Sequence, residues 1–273
     1  VNWPRWKPSS ARWASDHGPA VTLLSGDGGP SHVVITLTTI PPRFDLLGPT
    51  LGSLLAQDLP ARIELWIPET YRRFPRWRGA LPLLPDGVIL RRCAQDWGPA
   101  TKILPAALER RGQAVELLLV DDDSVYAPDM VRRFLAARAA HPSSAIAAIG
   151  RHLPAEAVTA PRPGLLARSL RRLSGSAPRM QRRPAQEVDR QLAQQGMGDG
   201  PPVALIARSG LADLFEGWGG VMLRPDFLAP ALAEGPGECW AVDDIWLSAL
   251  LALAGTPLWI EAGILPPGRR DAG

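Results

Sequence analysis

Three consecutive aspartates, Asp121, Asp122 and Asp123, end a short apolar run at 117–120. That run has no room for an amphipathic helix face and reads as a strand buried on both sides. Successive strand side chains point to opposite faces, so Asp121 and Asp123 share one side while Asp122 points away. Two carboxylates at that spacing can hold a divalent cation. Mg²⁺ or Mn²⁺ takes hard oxygen ligands, usually one or two carboxylates plus the phosphates of a substrate. The other reading is a solvated acidic turn with Asp129 capping the next helix, which leaves three like charges with no cation to offset their repulsion.

A second acidic pair, Asp243 and Asp244, opens the apolar stretch Ile-Trp-Leu-Ser-Ala-Leu-Leu. At a helix start two acids either cap the helix and complement its dipole, or supply a carboxylate base. Adjacent acids repel, which raises the pKa of one toward a useful value. Lys102 closes the segment Asp-Trp-Gly-Pro-Ala-Thr-Lys at 96–102, where Gly98 and Pro99 suit a helix start. A cation in a first helical turn opposes the dipole unless an anion is near, so Lys102 is either directed at an anion or an ordinary surface lysine. Gly217, Gly219 and Gly220 surround Trp218. They let backbone approach a ligand, with the indole as an apolar platform for a sugar ring, or they form a tight turn on a buried Trp. Trp240 and Trp246, beside the acidic pair, extend the candidate sugar-stacking wall.

The elements that must position these groups alternate. Residues 32–39 are rich in β-branched side chains and run into Ile-Pro-Pro-Arg, so they read as a first strand. Leucines 46, 47, 51, 54 and 55 recur at helical spacing, and apolar runs follow at 63–67 and 88–93. A helix at 128–140, strands at 144–150 and 203–207, and a buried helix followed by a strand within 245–260 complete the pattern. That last stretch is shorter than the ~20 residues a membrane span needs. Alternation of this kind predicts an α/β fold with a mostly parallel, Rossmann-like central sheet, helices on both faces and ligands beyond the carboxyl ends of the strands. Thr39, Arg43, Asp96, Lys102 and the aspartate triplet all follow strands. They are therefore expected to meet on one sheet edge, with the first four lining a nucleotide pocket.

With 273 residues, 46% of them hydrophobic, the chain has room for one large domain or two small ones. Thirty basic against 27 acidic residues give a net charge of +3, which offers no case for nucleic acid as a partner. Cys93 and Cys239 form neither a disulfide framework nor a zinc pattern, and fit packing roles in a reducing compartment. Residues 1–31, with Trp3, Trp6 and Trp13 among Pro, Arg, Ser and Gly, read as an irregular lead-in without the apolar core of a signal peptide. Between 157 and 186 there are seven arginines and no acid, and this stretch belongs to an insertion placed at 151–200. It is either a short basic amphipathic helix for an anionic membrane surface or a solvated linker. No internal repeat, Gly-x-Gly-x-x-Gly or phosphate-loop lysine motif is visible in the sequence.

In this order the pieces resemble the nucleotide-sugar glycosyltransferases of the GT-A fold, family-2-like members in particular. Those enzymes have a first strand ending in a Thr/Ser-Pro-Arg-like segment, a Gly-x-Ala-x-Lys or Asn helix start, an aspartate triplet, a Gly-Gly acceptor loop and an acidic pair opening a helix. Here the corresponding segments are Thr-Thr-Ile-Pro-Pro-Arg at 38–43, Gly-Pro-Ala-Thr-Lys at 98–102, the triplet at 121–123, Gly-Trp-Gly-Gly at 217–220 and Asp-Asp-Ile-Trp-Leu at 243–247.

The resemblance implies one GT-A domain at 32–262, with a nucleotide-sugar-binding half at 32–150, the basic insertion at 151–200, an acceptor half at 201–262 and a tail at 263–273. It further implies a Mn²⁺ or Mg²⁺ cofactor on Asp123 and Asp121, with Asp121 also near the ribose and Asp122 at the nucleotide. Trp218, Gly219, Gly220 and Trp246 would face the acceptor. Asp244 would be the base and Asp243 its support in an inverting transfer from a nucleotide-diphosphate sugar to a hydroxyl of a glycan or lipid-linked acceptor. The expected location is cytoplasmic, at or near the inner membrane face.

One departure concerns the late histidine that many such enzymes use as a metal ligand. The four histidines here are His17, His32, His141 and His152, none in the C-terminal third. Either the cation rests on Asp123, the diphosphate and water, or the chain is truncated near its Pro-Pro-Gly-Arg-Arg end. Other readings of the same pieces are a nucleotidyltransferase or phosphohydrolase on this scaffold, and a nucleotide-sugar-binding protein without catalysis.

Overall fold

The computed structural model describes residues 32–153, 208–228 and 240–269. The lead-in at 1–31, nearly all of the arginine-rich insertion, the strand expected at 203–207 and Cys239 lie outside the described residues. The chain enters through β1 (Val33–Thr38), α1 (Gly48–Leu55), β2 (Arg62–Pro68) and β3 (Val88–Cys93). It continues through α2 (Leu104–Glu109), β4 (Glu116–Leu119), β5 (Ser124–Val125) and α3 (Met130–Ala140). Next come β6 (Ala145–Ala147), β7 (Gly150–Arg151), β8 (Gly210–Ala212), β9 (Leu214–Phe215) and β10 (Val221–Leu223). The last elements are α4 (Asp243–Leu253), β11 (Leu258–Ile260) and β12 (Gly268–Arg269).

Among the described residues, eight strands form one sheet in the order β3-β2-β1-β4-β10-β6-β11-β8. β3, β2, β1 and β4 run parallel, as do β6 and β11. β10 is antiparallel to both β4 and β6, and β8 is antiparallel to β11 at the edge. The expected α/β class and mostly parallel sheet are therefore present. Interior parallel strands are covered on both faces, which is why β1 and β4 read as nearly unbroken apolar runs.

The period-two alternation of strand side chains divides the core between the two faces. Val33, Ile35 and Leu37 of β1 pack with Leu51 and Leu54 of α1 and with Val131 and Phe134 of α3. Val34 of β1 and Leu117 and Leu119 of β4 face the other way, toward Leu104 and Ala107 of α2 and Leu247, Leu250 and Leu251 of α4. Helices thus cover both faces. At the amino end of β4, Glu116 takes an ion pair of 2.9 Å from each of Arg138 and Arg224, which pins that end away from the aspartates.

Three features differ from the sequence expectation. The strand expected at 144–150 is interrupted: β6 stops at Ala147, and β7 pairs with β9 in a separate ribbon. Gly150 permits this turn-off, since a Cβ there would lie 2.3 Å from Ile260 Cδ1. Residues 221–223, for which the sequence reading named no element, form β10 in the middle of the sheet. Within the stretch read as a tail, β12 pairs with β5 immediately after the triplet. No helix among the described residues is long and apolar enough to cross a membrane.

Candidate functional site

The strands β1 to β4 release their carboxyl ends into a cleft of about 340 Å³. Thr38 and Thr39 line it after β1, Pro68 after β2, Asp96 after β3 and the aspartate triplet after β4. Its far wall is the first turn of α4, with Asp243 and Asp244. Parallel strands deliver their loops to one edge, so groups far apart in sequence share one space. The cleft joins every catalytic, nucleotide and metal residue that the sequence reading named.

The three aspartates have three different environments. Asp122 is buried: its Oδ2 accepts from the Thr39 hydroxyl at 2.5 Å and its Oδ1 from Arg43 Nη1 at 2.7 Å. Its backbone carbonyl accepts from Thr50 of α1 at 2.9 Å. Burial pushes the Asp122 carboxyl above its ordinary pKa, and the Thr39 and Arg43 bonds oppose that. Asp123 is the open member, with 40% of its side chain exposed and Arg43 Nη1 at 3.3 Å. Asp121 is half-buried and lies 2.6 Å from Lys102 Nζ. Arg43 therefore serves the triplet as a counter-ion, and the neighbouring carboxylates hold its pKa up against the effect of burial.

Lys102 ends the 3₁₀ turn Gly98–Lys102 and is buried rather than on the surface. Its carbonyl accepts from the Thr36 hydroxyl of β1, which fixes the turn against the sheet. Its ammonium reaches across to Asp243 Oδ2 at 3.0 Å as well as to Asp121. Burial alone would depress the pKa of this lysine, but Asp121, Asp243 and Asp244 raise it well above the ordinary lysine value. The triplet and the acidic pair are thus joined through one charged group.

Asp244 follows at the N-terminus of α4, packed over Gly217. A Cβ on Gly217 would lie 2.7 Å from Asp244 Oδ1 and 3.0 Å from Lys102 Nζ. Burial pushes the Asp244 carboxyl up to about 7; Lys102 lowers it, Asp243 raises it and the Gly217 backbone N–H lowers it. Its Oδ1 packs against Gly217 and is shielded from solvent. A half-buried carboxyl that lines the cleft and titrates near neutrality suits proton transfer.

Asp96 shapes its own loop, accepting from the backbone N–H of Gly98 at 2.8 Å and of Arg72 at 2.7 Å. Its carbonyl accepts from Trp240 Nε1 at 3.2 Å, and the Arg72 guanidinium stands 5.2 Å from the Trp240 ring centre. Trp240 lines the cleft, whereas Trp246 is buried in the core on the α2/α4 face. Trp218 packs against the opposite core and offers its carbonyl to the Tyr126 hydroxyl at 3.1 Å. Gly219 and Gly220 are buried, close to Ile149 and Phe134. The glycine turn therefore meets the site through Gly217, and none of Trp218, Gly219, Gly220 or Trp246 lines the cleft.

Sequence reasoning missed the wall after β2. Tyr71, Arg73 and Phe74 line the cleft, and the Tyr71 hydroxyl donates to the Thr39 carbonyl at 2.9 Å. Edge-to-face packing of Tyr71 with Phe74 and Trp77, at 6.0 and 5.0 Å between ring centres, stiffens this loop. Its signal was the alternation of aromatic and arginine residues at 71–78. Cys93 lies buried beneath it, its thiol pushed up to about 12 by burial and then Asp96, in keeping with a packing role.

Asp121 and Asp123 are the carboxylates that could take a divalent cation, because both oxygens of Asp122 are occupied by Thr39 and Arg43. Among the described residues no group of three His, Cys, Asp or Glu side chains converges as a complete metal-ligand set. Any cation here would draw its other ligands from a substrate and water.

No protein-family profile matches the chain. No curated protein sequence matches it either. Among solved structures, it is similar to S. aureus TarS 1-349 in complex with UDP, at 13% identity and a TM-score of 0.42 over 84% of this chain and 57% of that one. It is similar to the same protein in complex with UDP-GlcNAc, at 13% identity and a TM-score of 0.43 over 88% of this chain and 58% of that one. Against S. aureus TarS the identity is 14% and the TM-score 0.39, and this chain spans only 34% of that protein's length.

Proposed function

We propose that this chain is a metal-dependent glycosyltransferase of the GT-A type, moving a sugar from a nucleotide-diphosphate sugar to a hydroxyl of a glycan or lipid-linked acceptor. One observation carries the reading. Two sets of carboxylates in different environments face the same cleft, Asp121 and the more open Asp123 on one side, each beside a cation, and the half-buried Asp244, raised to about 7, on the other. A donor needs its diphosphate charge neutralised, and an acceptor hydroxyl needs a base; these are two tasks for two sets.

On this reading Thr39, Arg43, Asp96 and Asp122 build the nucleotide pocket, with Asp121 near the ribose. Asp121 and Asp123 would hold Mn²⁺ or Mg²⁺, whose charge would offset that of the diphosphate. Their fit to such a cation is supported by hard oxygen donors and by the 40% exposure of Asp123. Asp244 accepts the proton of the acceptor hydroxyl as its oxygen bonds to the anomeric carbon. The bond from that carbon to the diphosphate oxygen breaks, and attack from the opposite face inverts the configuration. Asp243 supports Asp244. Trp240 supplies the apolar surface in the cleft. The arginines at 162–183 offer an electrostatic route to an anionic membrane surface, at the cytoplasmic face.

The test is a panel of UDP-, GDP-, ADP-, CDP- and dTDP-sugars with and without Mn²⁺, read by melting temperature and by release of nucleoside diphosphate. A Mn²⁺-dependent rise in melting temperature with one base, together with turnover, is the expected result. No response to any donor in the presence of Mn²⁺ would overturn the reading.

A further inference from the structure

Lys102 sits where the two carboxylate sets meet. Its ammonium lies 2.6 Å from Asp121 Oδ1 and 3.0 Å from Asp243 Oδ2, and only 5% of its side chain is exposed. Its backbone is tied to β1 through Thr36. Gly217 lies against both this ammonium and the Asp244 carboxylate, leaving no room for a Cβ between them. A lysine that gripped a substrate phosphate would present its charge to the open cleft; here two carboxylates engage it and little of it reaches solvent.

We infer that Lys102 is a positioning residue, an internal counter-ion that joins the Asp121 side of the cleft to the Asp243–Asp244 side, with Gly217 the glycine that leaves room for the junction. The inference rests on the glycosyltransferase reading of the cleft and gives Lys102 a role other than nucleotide contact. Three elements converge on the ammonium: the turn after β3, the end of β4 and the start of α4. Without it Asp121, Asp243 and Asp244 face one another uncompensated, and their repulsion drives the first turn of α4 away from β4. The same loss releases Asp121 from its ion pair and makes it a better ligand for a divalent cation. Removing Lys102 thus has effects of opposite sign, weaker catalysis and tighter metal binding, that neither a phosphate grip nor a purely structural role produces.

The experiment compares the full chain with Lys102→Met, Lys102→Arg and Gly217→Ala. Each is titrated by calorimetry with MnCl₂ alone and with UDP, GDP and ADP, and assayed with the donor the panel selects. For Lys102→Met, Mn²⁺ is expected to bind about tenfold more tightly, as expected for loss of one nearby cation. Nucleoside diphosphate affinity stays within about twofold and kcat falls ~100-fold, comparable to disabling a base. Lys102→Arg, which keeps the charge, restores part of kcat. Gly217→Ala keeps every charge but crowds the junction, so kcat falls while Mn²⁺ and nucleotide affinities hold.

Nucleotide binding weakened more than about tenfold in Lys102→Met, with Mn²⁺ affinity unchanged, would make Lys102 a phosphate ligand and sink the inference while the glycosyltransferase reading stands. Parental turnover in Gly217→Ala would sink it equally, and decides the matter even if Lys102→Met fails to fold. An unaltered chain that bound neither Mn²⁺ nor any of the nucleotides would remove the reading of the cleft, and this inference with it.

Discussion

Tyr126 donates its hydroxyl to the carbonyl of Trp218 at 3.1 Å, across 92 residues of sequence. The same oxygen accepts from the backbone N–H of Asp121 at 2.9 Å. One buried phenol thereby holds the first aspartate of the triplet against the turn that carries Gly217. Burial raises its pKa above the ordinary tyrosine value, so it stays protonated and able to donate. Replacing Tyr126 with Phe leaves the Trp218 carbonyl and the Asp121 N–H without that partner, at an expected cost of about 1–3 kcal/mol. Urea unfolding checks this: the midpoint falls with an unchanged slope, whereas an unmoved midpoint would show that the phenol ties nothing together.

Asp122 and Asp123 are adjacent but should fail differently. Asp122→Ala strands the Thr39 hydroxyl and one Arg43 bond in a mostly buried setting, costing about 2–3 kcal/mol of stability. Asp123→Ala removes an open carboxylate, so the melting temperature stays near the parent's while Mn²⁺-dependent nucleotide binding is lost. Calorimetry with and without EDTA, beside a melting curve, separates the two. Identical behaviour of the two variants would show that burial does not divide their roles.

Asp244 should set the acid limb of the rate profile. A base must be deprotonated, so kcat/KM rises with pH through about 7 and then levels off. Asp244→Asn is expected to lower kcat at least ~100-fold with nucleotide affinity retained. Stability supplies a second sign. The folded pKa lies above the ordinary 3.8, so between those values the native state binds more protons than the unfolded chain, and stability falls as pH rises. Asp244→Asn should therefore melt above the parent at pH 8, with the gap closing toward pH 4. A pH-independent gap would remove the assignment.

Gly98 has φ of +61°, and a Cβ there would lie 2.7 Å from the Trp240 carbonyl and 2.9 Å from its ring. Gly98→Ala combines backbone strain with a clash against main chain, for a loss of about 1–3 kcal/mol. Because the clash pushes Trp240 off the cleft wall, acceptor KM should rise more than donor KM. Equal effects on both would show that Trp240 does not face the acceptor.

Much of this geometry was legible because period and punctuation carry it. Mainly apolar runs at 63–67 and 88–93, each closed by a breaker or polar loop, announced strands despite Glu64, Arg91 and Arg92 within them, and the triplet had to emerge at a strand end. What a strand pattern cannot give is the depth of each residue beyond the strand. Asp122 turned inward because Thr39 and Arg43, delivered by the neighbouring strand, met it there. For Lys102 the sequence left open an anion-directed role or an ordinary surface lysine, because its partners, Asp121 and Asp243, lie 19 and 141 positions away in sequence. Trp246 was read beside the acids, but positions 246, 247, 250 and 251 form the inward stripe of α4. β10 is too short for periodicity to register at all.

That short strand governs how the molecule must assemble. Parallel pairing of β1, β2, β3 and β4 needs only crossovers local to the first part of the chain, but β4 acquires its other neighbour, β10, through the pairing of Leu119 with Val221. Closing a loop of roughly a hundred residues carries an entropic cost that must be met before that contact stabilises anything, which slows folding in chains of high contact order. Gly217 precedes β10 by only a few residues, so it reaches Asp244 and Lys102 in the same late event that completes the sheet. An early folding species can hold Asp121 on Lys102, but acquires the packing of Gly217 against that pair only when β10 enters.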